Sequence, residues 1–239
     1  MISDSDIFPA SFAQQRLWFL HQLDKQSAVY NIAAALRLSG PLDVNALEQS
    51  LDKIVERHEA LRTAFMEIDE EVAQVIHATV GPILSVIHLE DLSDGEREAA
   101  IQSLMIEDAC KPFNLVEAPL LRATLLRSSE TEHVLVITMH HIISDGWSVA
   151  VMIRELTSLY NALVAGKRAT LPPLRLQYGD FSEWQREWLQ GEVLERQLAY
   201  WREQLSGELP VLQLPAERTR PALPSYRGGN CAVALSAEL

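Results

Sequence analysis

Residues 139–148 read MHHIISDGWS and contain the most informative chemistry of this 239-residue chain. Residues 134–139, which lead into this stretch, are apolar on both alternating faces, which is typical of a strand buried in the middle of a sheet. After the motif, apolar residues recur at helical spacing. The pattern predicts a strand, a short turn and a helix, so His140 and His141 are expected at a sheet edge where a pocket can open.

Strand geometry separates the two histidines. Because consecutive strand side chains point to opposite faces, His140 and His141 cannot easily converge on one substrate or metal ion. One is therefore predicted to be structural and the other functional. A metal site that included Asp145 would need a bulge, and no further Cys or His lies nearby at ligand spacing, so no metal is predicted. Gly146 permits backbone geometry or a close approach that other residues forbid.

Four segments of the chain resemble motifs of one family and occur in that family's order. Residues 140–148 resemble the HHxxxDG signature of condensation domains in nonribosomal peptide synthetases, which are relatives of chloramphenicol acetyltransferase. Residues 11–20 (SFAQQRLWFL), 57–65 (RHEALRTAF) and 178–184 (YGDFSEW) resemble the first, second and fourth motifs of these domains. The matches extend over nearly the whole chain, and their order makes the resemblance specific.

The resemblance implies acyl transfer. An upstream peptidyl carrier protein would present an acyl or peptidyl thioester on its 4′-phosphopantetheine arm, and the aminoacyl thioester of a downstream carrier would attack it through its amine. His141 is the implied catalytic residue, because an imidazole with a pKa of about 6.5 can accept a proton near neutrality. His140 is assigned to structure. Trp147, Ser148 and Tyr178 are candidates for the substrate channel, and no bound cofactor is expected.

The second motif offers a partner for Asp145, which stands beside Gly146 in the turn. Arg62 precedes alternating residues of a predicted strand, so its guanidinium is expected to point into the protein, where an unpaired charge is costly. The resemblance implies an Arg–Asp pair that shapes the active site. We expect Arg62 to form this pair, and Arg57 in the same motif is the alternative.

The family resemblance also predicts the fold class and the domain organisation. We expect an α/β layered sandwich with a mixed β-sheet flanked by helices, a chloramphenicol acetyltransferase-like N-terminal lobe over residues 1–205. Residues 206–239 are predicted to be a linker and a first strand that lead towards a missing C-terminal lobe, because the motifs of the second lobe are absent. Such a half-domain is expected to be inactive alone, with the C-terminal lobe, the carrier proteins and an adjacent adenylation domain as partners.

Local signals predict the individual elements. Ser11 with Gln14 and Ser93 with Glu96 form capping-box patterns at the start of helices, and Asp43 caps a further one. The predicted strands cover residues 31–38, 63–68, 72–76, 83–88, 120–126, 133–140 and 231–235. One helix is predicted to begin directly after the central motif. Two further helices are predicted over residues 180–190 and 192–205.

Composition limits the classes of partner. The formal net charge of -13 argues against nucleic acid, whose phosphates demand a basic surface, and against an anionic membrane. The chain shows no signal peptide or apolar span, and Cys110 and Cys231 form no disulfide framework or zinc spacing, so a cytoplasmic location is expected.

Two other functions are compatible with parts of the sequence. His140 and Asp145 also satisfy the bare HxxxxD pattern of glycerolipid-type acyltransferases. The chain could alternatively be a non-catalytic half-module that keeps a carrier-binding surface.

Overall fold

The computed structural model describes residues 5–211, 231 and 233–236. The chain divides into two compact units, Met1–Val193 and Leu194–Leu239. The strands are β1 (Ser5–Pro9), β2 (Asn31–Ser39), β3 (Thr63–Ile68), β4 (Glu71–His77), β5 (Leu84–His88), β6 (Leu121–Arg127) and β7 (Glu132–His140). The helices are α1 (Phe12–Leu23), α2 (Val44–Arg57), α3 (Asp94–Cys110), α4 (Gly146–Val164), α5 (Tyr178–Trp188) and α6 (Gly191–Gln204), with a 3₁₀ turn at Glu59–Arg62.

The larger sheet has the strand order β2-β7-β6-β5. Its pairs are antiparallel except for the parallel pair of β5 and β6, so the predicted mixed sheet is confirmed. Strand β7 lies inside the sheet and is apolar on both faces: Val134 and Val136 pack with Ile101 of α3, whereas Leu135 and Ile137 belong to the main core with α1, α2 and α4. Helices therefore cover both faces of this sheet, as a strand without polar alternation requires.

A second sheet, with the order β1-β4-β3, was not predicted. Its hairpin of β3 and β4 was expected, and the chain turns there through Asp69 and Glu70, which both have positive φ. Strand β1 was missed, because it pairs with β4 across about seventy residues and the sequence before Phe12 gives no local strand signal.

The helix starts follow the capping patterns. Ser11 and Gln14 form a reciprocal capping box on α1, Ser93 and Glu96 form one on α3, and Asp43 accepts a hydrogen bond from the Ala46 N–H at the start of α2. Each of these side chains satisfies backbone N–H groups that have no partner inside the helix.

The C-terminal predictions have a mixed outcome. Helix α6 is present close to its expected bounds. The strand predicted over 231–235 is wrong for the positions that the structure describes: Cys231 and residues 233–235 form no strand, and Val233 and Leu235 are exposed. The predicted linker over residues 212–230 lies outside the described residues. No helix among the described residues is long and apolar enough to cross a bilayer.

Candidate active site

The turn after β7 is held by backbone hydrogen bonds on both sides. The His140 N–H donates to the Leu120 carbonyl at 3.0 Å, and the His141 N–H donates to the Tyr30 carbonyl at 2.8 Å. The chain then folds back on itself, because the Ile143 N–H donates to the His140 carbonyl at 3.1 Å. His141 therefore stands at the end of a buried strand with its backbone fixed by a neighbouring segment.

His141 is exposed, and its ring has a defined tautomer. Its Nδ1 lies 2.7 Å from the carbonyl oxygen of Ser144. A carbonyl oxygen can only accept, so Nδ1 must carry the proton. The neutral ring then has its lone pair on Nε2, which is the form a general base needs.

His140 lies behind the turn, with a side chain that is only 3% exposed. Its Nδ1 accepts a hydrogen bond from the Ile142 N–H at 3.1 Å, and the rings of His21, Tyr30 and Phe113 surround it at 6.3–6.4 Å. Burial, assisted by the charges of His21 and His141, lowers the pKa of His140 from 6.5 to about 4. His140 is therefore neutral at physiological pH, and its side chain is buried whereas that of His141 is exposed.

The predicted ion pair of Asp145 is wrong, because among the described residues this carboxylate contacts its own helix. Asp145 is the N-cap of α4, and its Oδ1 accepts hydrogen bonds from the Ser148 hydroxyl at 2.6 Å and from the Ser148 N–H at 2.8 Å. These two hydrogen bonds lower the pKa of Asp145, and the bond from the Ser148 hydroxyl has the larger effect. Asp145 therefore serves as the acceptor for a backbone N–H of the first helical turn that has no partner inside the helix.

Both candidate arginines have other partners. Arg62 donates to the His77 carbonyl at 2.5 Å and lies 3.6 Å from the Glu59 carboxylate within the same 3₁₀ turn. Arg57 lies 3.3 Å from the buried carboxylate of Glu155 on α4. Both guanidinium groups are largely buried, as was expected of Arg62, but the charge that compensates each one comes from a glutamate rather than from Asp145.

Two concave spaces adjoin this turn. The first, which we call the His141 cavity, has a volume of about 240 Å³ and is formed by α1, the turn and the start of α5. The second, the apolar groove, has a volume of about 340 Å³. It is formed mainly by α2, α4, the turn and residues 174–177, which we call the segment before α5. The two share part of their walls. The shared wall residues are Ala60, Ile143, Ser144, Ser148 and Tyr178.

The substrate-channel candidates lie around these spaces. Ser148 and Tyr178 line both of them, and Trp147 lines the apolar groove with 81% of its surface exposed. The special backbone geometry considered for Gly146 is absent, because its φ is not positive, and a Cβ built there would meet no protein atom within 4 Å. The fold itself does not require glycine at this position.

Sequence reasoning missed a buried polar network beside the turn. Gln14 donates to the Ile142 carbonyl at 3.3 Å and to Gln74 at 3.1 Å, and Gln74 donates to Ser182 at 2.9 Å. All three side chains are at most 3% exposed, so the network ties the turn to α1, β4 and α5. The sequence contains a signal for this network, because Gln14 and Ser182 are polar residues at inward-facing positions of the first and fourth motifs.

Within the described part of the chain, no three His, Cys, Asp or Glu side chains lie close enough together to hold a metal ion.

Comparison with known proteins identifies the family of this chain. A family model described as "Condensation domain" matches residues 4–239. The chain belongs to the condensation-domain family. This condensation-domain chain is 51% identical to a linear gramicidin synthase polypeptide of Brevibacillus parabrevis over 97% of its own length and 3% of that synthase. It is 46% identical to chondramide synthase cmdD of Chondromyces crocatus, over 95% of its own length and 6% of that protein.

Solved condensation-type structures share the fold. The X-domain from teicoplanin biosynthesis superposes with a TM-score of 0.78 at 33% identity, over 92% of this chain and 48% of that one. The starter condensation domain of rhizomide synthetase RzmA superposes with a TM-score of 0.76 at 26% identity, over 88% of this chain and 52% of that one. The condensation-domain chain described here therefore spans about half the length of its structural neighbours, and the predicted chloramphenicol acetyltransferase-like α/β class is confirmed.

Proposed function

We propose that this chain supplies the general base for amide-bond formation between two carrier-bound thioesters in nonribosomal peptide synthesis. The observation that carries the proposal is the His141 ring, whose Nδ1–H is occupied by the Ser144 carbonyl while the ring stands exposed at a cavity. Its Nε2 lone pair is then available to a substrate amine. Membership of the condensation-domain family supports the same reaction class.

The reaction balances with His141 as a proton carrier. The neutral amine of the downstream aminoacyl thioester attacks the carbonyl carbon of the upstream thioester, so that a C–N bond forms and the C–S bond breaks. Nε2 of His141 accepts the proton that the amine loses, and the proton leaves with the departing pantetheine thiolate. The growing chain now contains the new amide bond and stays attached to the downstream carrier through that carrier's own, unbroken thioester.

Magnitudes limit what the histidine contributes. General-base catalysis typically supplies a factor of about 10² to 10⁴, whereas positioning two reactants can lower the barrier by about 7 to 11 kcal/mol. A thioester is already an activated acyl donor. Orientation of the amine by His141 and the surrounding cavity is therefore as important as the removal of its proton.

We further propose that the chain provides one lobe of a two-lobed domain, which needs its C-terminal lobe, two peptidyl carrier proteins and an adjacent adenylation domain for turnover. The coverage of about half of each structural neighbour supports this organisation. The phosphopantetheine arms belong to the carriers and deliver the substrates.

The test is a condensation assay with loaded carrier proteins, performed on a polypeptide that contains the complete condensation domain. His141→Ala should lower the rate by about 10² to 10⁴ and leave the fold intact, because the side chain is exposed. His88→Ala replaces another exposed histidine, on β5, and should leave the rate unchanged. A wild-type rate in His141→Ala would refute the proposal, and a complete domain without any turnover would favour a non-catalytic carrier-binding module.

The glycerolipid-type alternative would require the histidine of HxxxxD, His140, as the base. That ring is buried, and its Nδ1 already accepts the Ile142 N–H. The geometry therefore supports His141 instead. An acyl-CoA assay with liposomes tests the alternative directly, and acyl transfer to a glycerolipid would favour it.

A further inference from the structure

The apolar groove differs in chemistry from the His141 cavity beside it. The side chains that line only the groove are almost all apolar and come from α2, the 3₁₀ turn, β7, α4, the segment before α5 and α5 itself. Five residues line both spaces, so the groove lies directly beside the His141 cavity. Six of the apolar lining residues are Ile54, Met139, Val151, Met152, Leu174 and Phe181.

The charges beside the groove compensate each other. His58 lines the groove, and its Nε2 lies 2.7 Å from a carboxylate oxygen of Glu155, whose second partner is Arg57 at 3.3 Å. Glu155 is 7% exposed and is turned towards these two residues. No member of this cluster is left to pair with a charged ligand, and a charged group in the groove would lose its hydration without gaining a partner.

The rim of the groove is fixed by hydrogen bonds. Arg57 donates to the Pro172 carbonyl, Gln177 donates to the Arg57 carbonyl at 3.0 Å, and the Glu59 N–H donates to Gln177 at 3.2 Å. These bonds tie both ends of the segment that carries Leu174 to the end of α2. The groove is therefore formed before a ligand enters, as is usual for specific small-molecule sites.

We infer that the apolar groove binds the apolar side chain of an aminoacyl thioester substrate while its reacting group lies at His141. The inference rests on the proposed function and adds the substrate class. The size agrees, because an apolar cavity of about 150 Å³ holds a benzene molecule, and the groove provides about 340 Å³. Branched aliphatic and aromatic side chains fit, whereas acidic and basic ones are excluded by the desolvation of their charge.

The experiment is isothermal titration calorimetry of the chain with stable aminoacyl-N-acetylcysteamine analogues, in which an amide NH replaces the thioester sulfur. Leucyl and phenylalanyl analogues should bind about ten- to a hundred-fold more tightly than the glycyl analogue, which is the gain expected from burying such a side chain. Aspartyl and lysyl analogues should bind no more tightly than the glycyl analogue. Analogues with a free amine represent the acceptor and N-acetylated ones the donor, so the series that shows the preference identifies the substrate whose side chain is bound.

Two variants of neighbouring α4 residues provide a matched comparison. Val151 lines the groove but not the His141 cavity, so Val151→Phe should remove the preference for leucyl over glycyl. Ala150→Phe adds a ring of the same size at an exposed position that lines neither space, and it should retain the preference. Val151→Leu, a smaller insertion, should give an intermediate result.

Equal affinity for the leucyl, glycyl and aspartyl analogues, or no binding of any analogue, would overturn the inference. The same loss of preference in Ala150→Phe as in Val151→Phe would also overturn it. Because binding is measured without turnover, the result is independent of the His141 assay. A preference that persists while His141→Ala keeps a wild-type rate would refute the base assignment alone.

Discussion

Acidification should destabilise the folded chain through His140. The pKa of this ring is lowered from 6.5 to about 4 in the folded state, mainly by burial. Between these two values the unfolded chain binds a proton at His140 that the folded chain does not bind, so stability is fully present above pH 6.5 and falls as the pH falls. One pKa unit corresponds to about 1.36 kcal/mol, so this side chain should cost about 2 kcal/mol at pH 5 and about 3 kcal/mol below pH 4.

Urea unfolding followed by circular dichroism at pH values from about 7.5 to 5 measures this cost when the chain is compared with His140→Phe. The variant should be less stable at neutral pH by about 1 to 3 kcal/mol, because the buried Ile142 N–H loses its acceptor. Between about pH 7.5 and 5, the free energy of unfolding of the variant should nevertheless fall by about 2 kcal/mol less than that of the unsubstituted chain. All other groups titrate in both proteins, so parallel curves would refute the reasoning. His21→Phe removes an imidazole whose ring centroid lies 6.3 Å from that of His140 and should leave most of the difference in place.

Two further substitutions test the packing and the corrected role of Asp145. Gly179→Ala places a Cβ 2.8 Å from the ring of Phe8 and should lower the free energy of unfolding by about 1 to 3 kcal/mol, whereas Gly95→Ala meets nothing within 4 Å and should not lower it. Asp145→Ala should cost about 1 kcal/mol, the value of a helix cap, and should be additive with Arg62→Ala in a double-mutant cycle. A coupling energy above about 0.5 kcal/mol would restore the Arg–Asp pair.

Local interactions explain which features of the fold the sequence could predict. The capping boxes at Ser11 and Ser93 involve residues three positions apart, and the buried strand β7 shows its apolar character without reference to its neighbours. Strand β1 and the division into two sheets depend on pairing partners far along the chain. Pairing between distant strands depends on packing in the whole core, so no local sequence pattern predicts it.

The candidate site shows the same division. Strand alternation predicted different environments for His140 and His141, and the structure has His140 buried at the last position of β7 and His141 exposed in the turn that follows. The partner of Asp145 was not predicted, because the family motif suggested a distant arginine while the serine three residues on was available as a cap. The Ser144 carbonyl, which selects the tautomer of His141, is a backbone atom and has no signature in side-chain identities.

The contact between His141 and Ser144 lies within four consecutive residues. The protonation form of the imidazole is therefore specified by a very short piece of polypeptide and needs no distant side chain. Engineers who exchange segments between synthetases could place their crossover points outside this piece and transfer the histidine in its working form. The preference for a substrate, by contrast, depends on α2, α4 and the segment before α5 together, so it would have to be exchanged as a larger block.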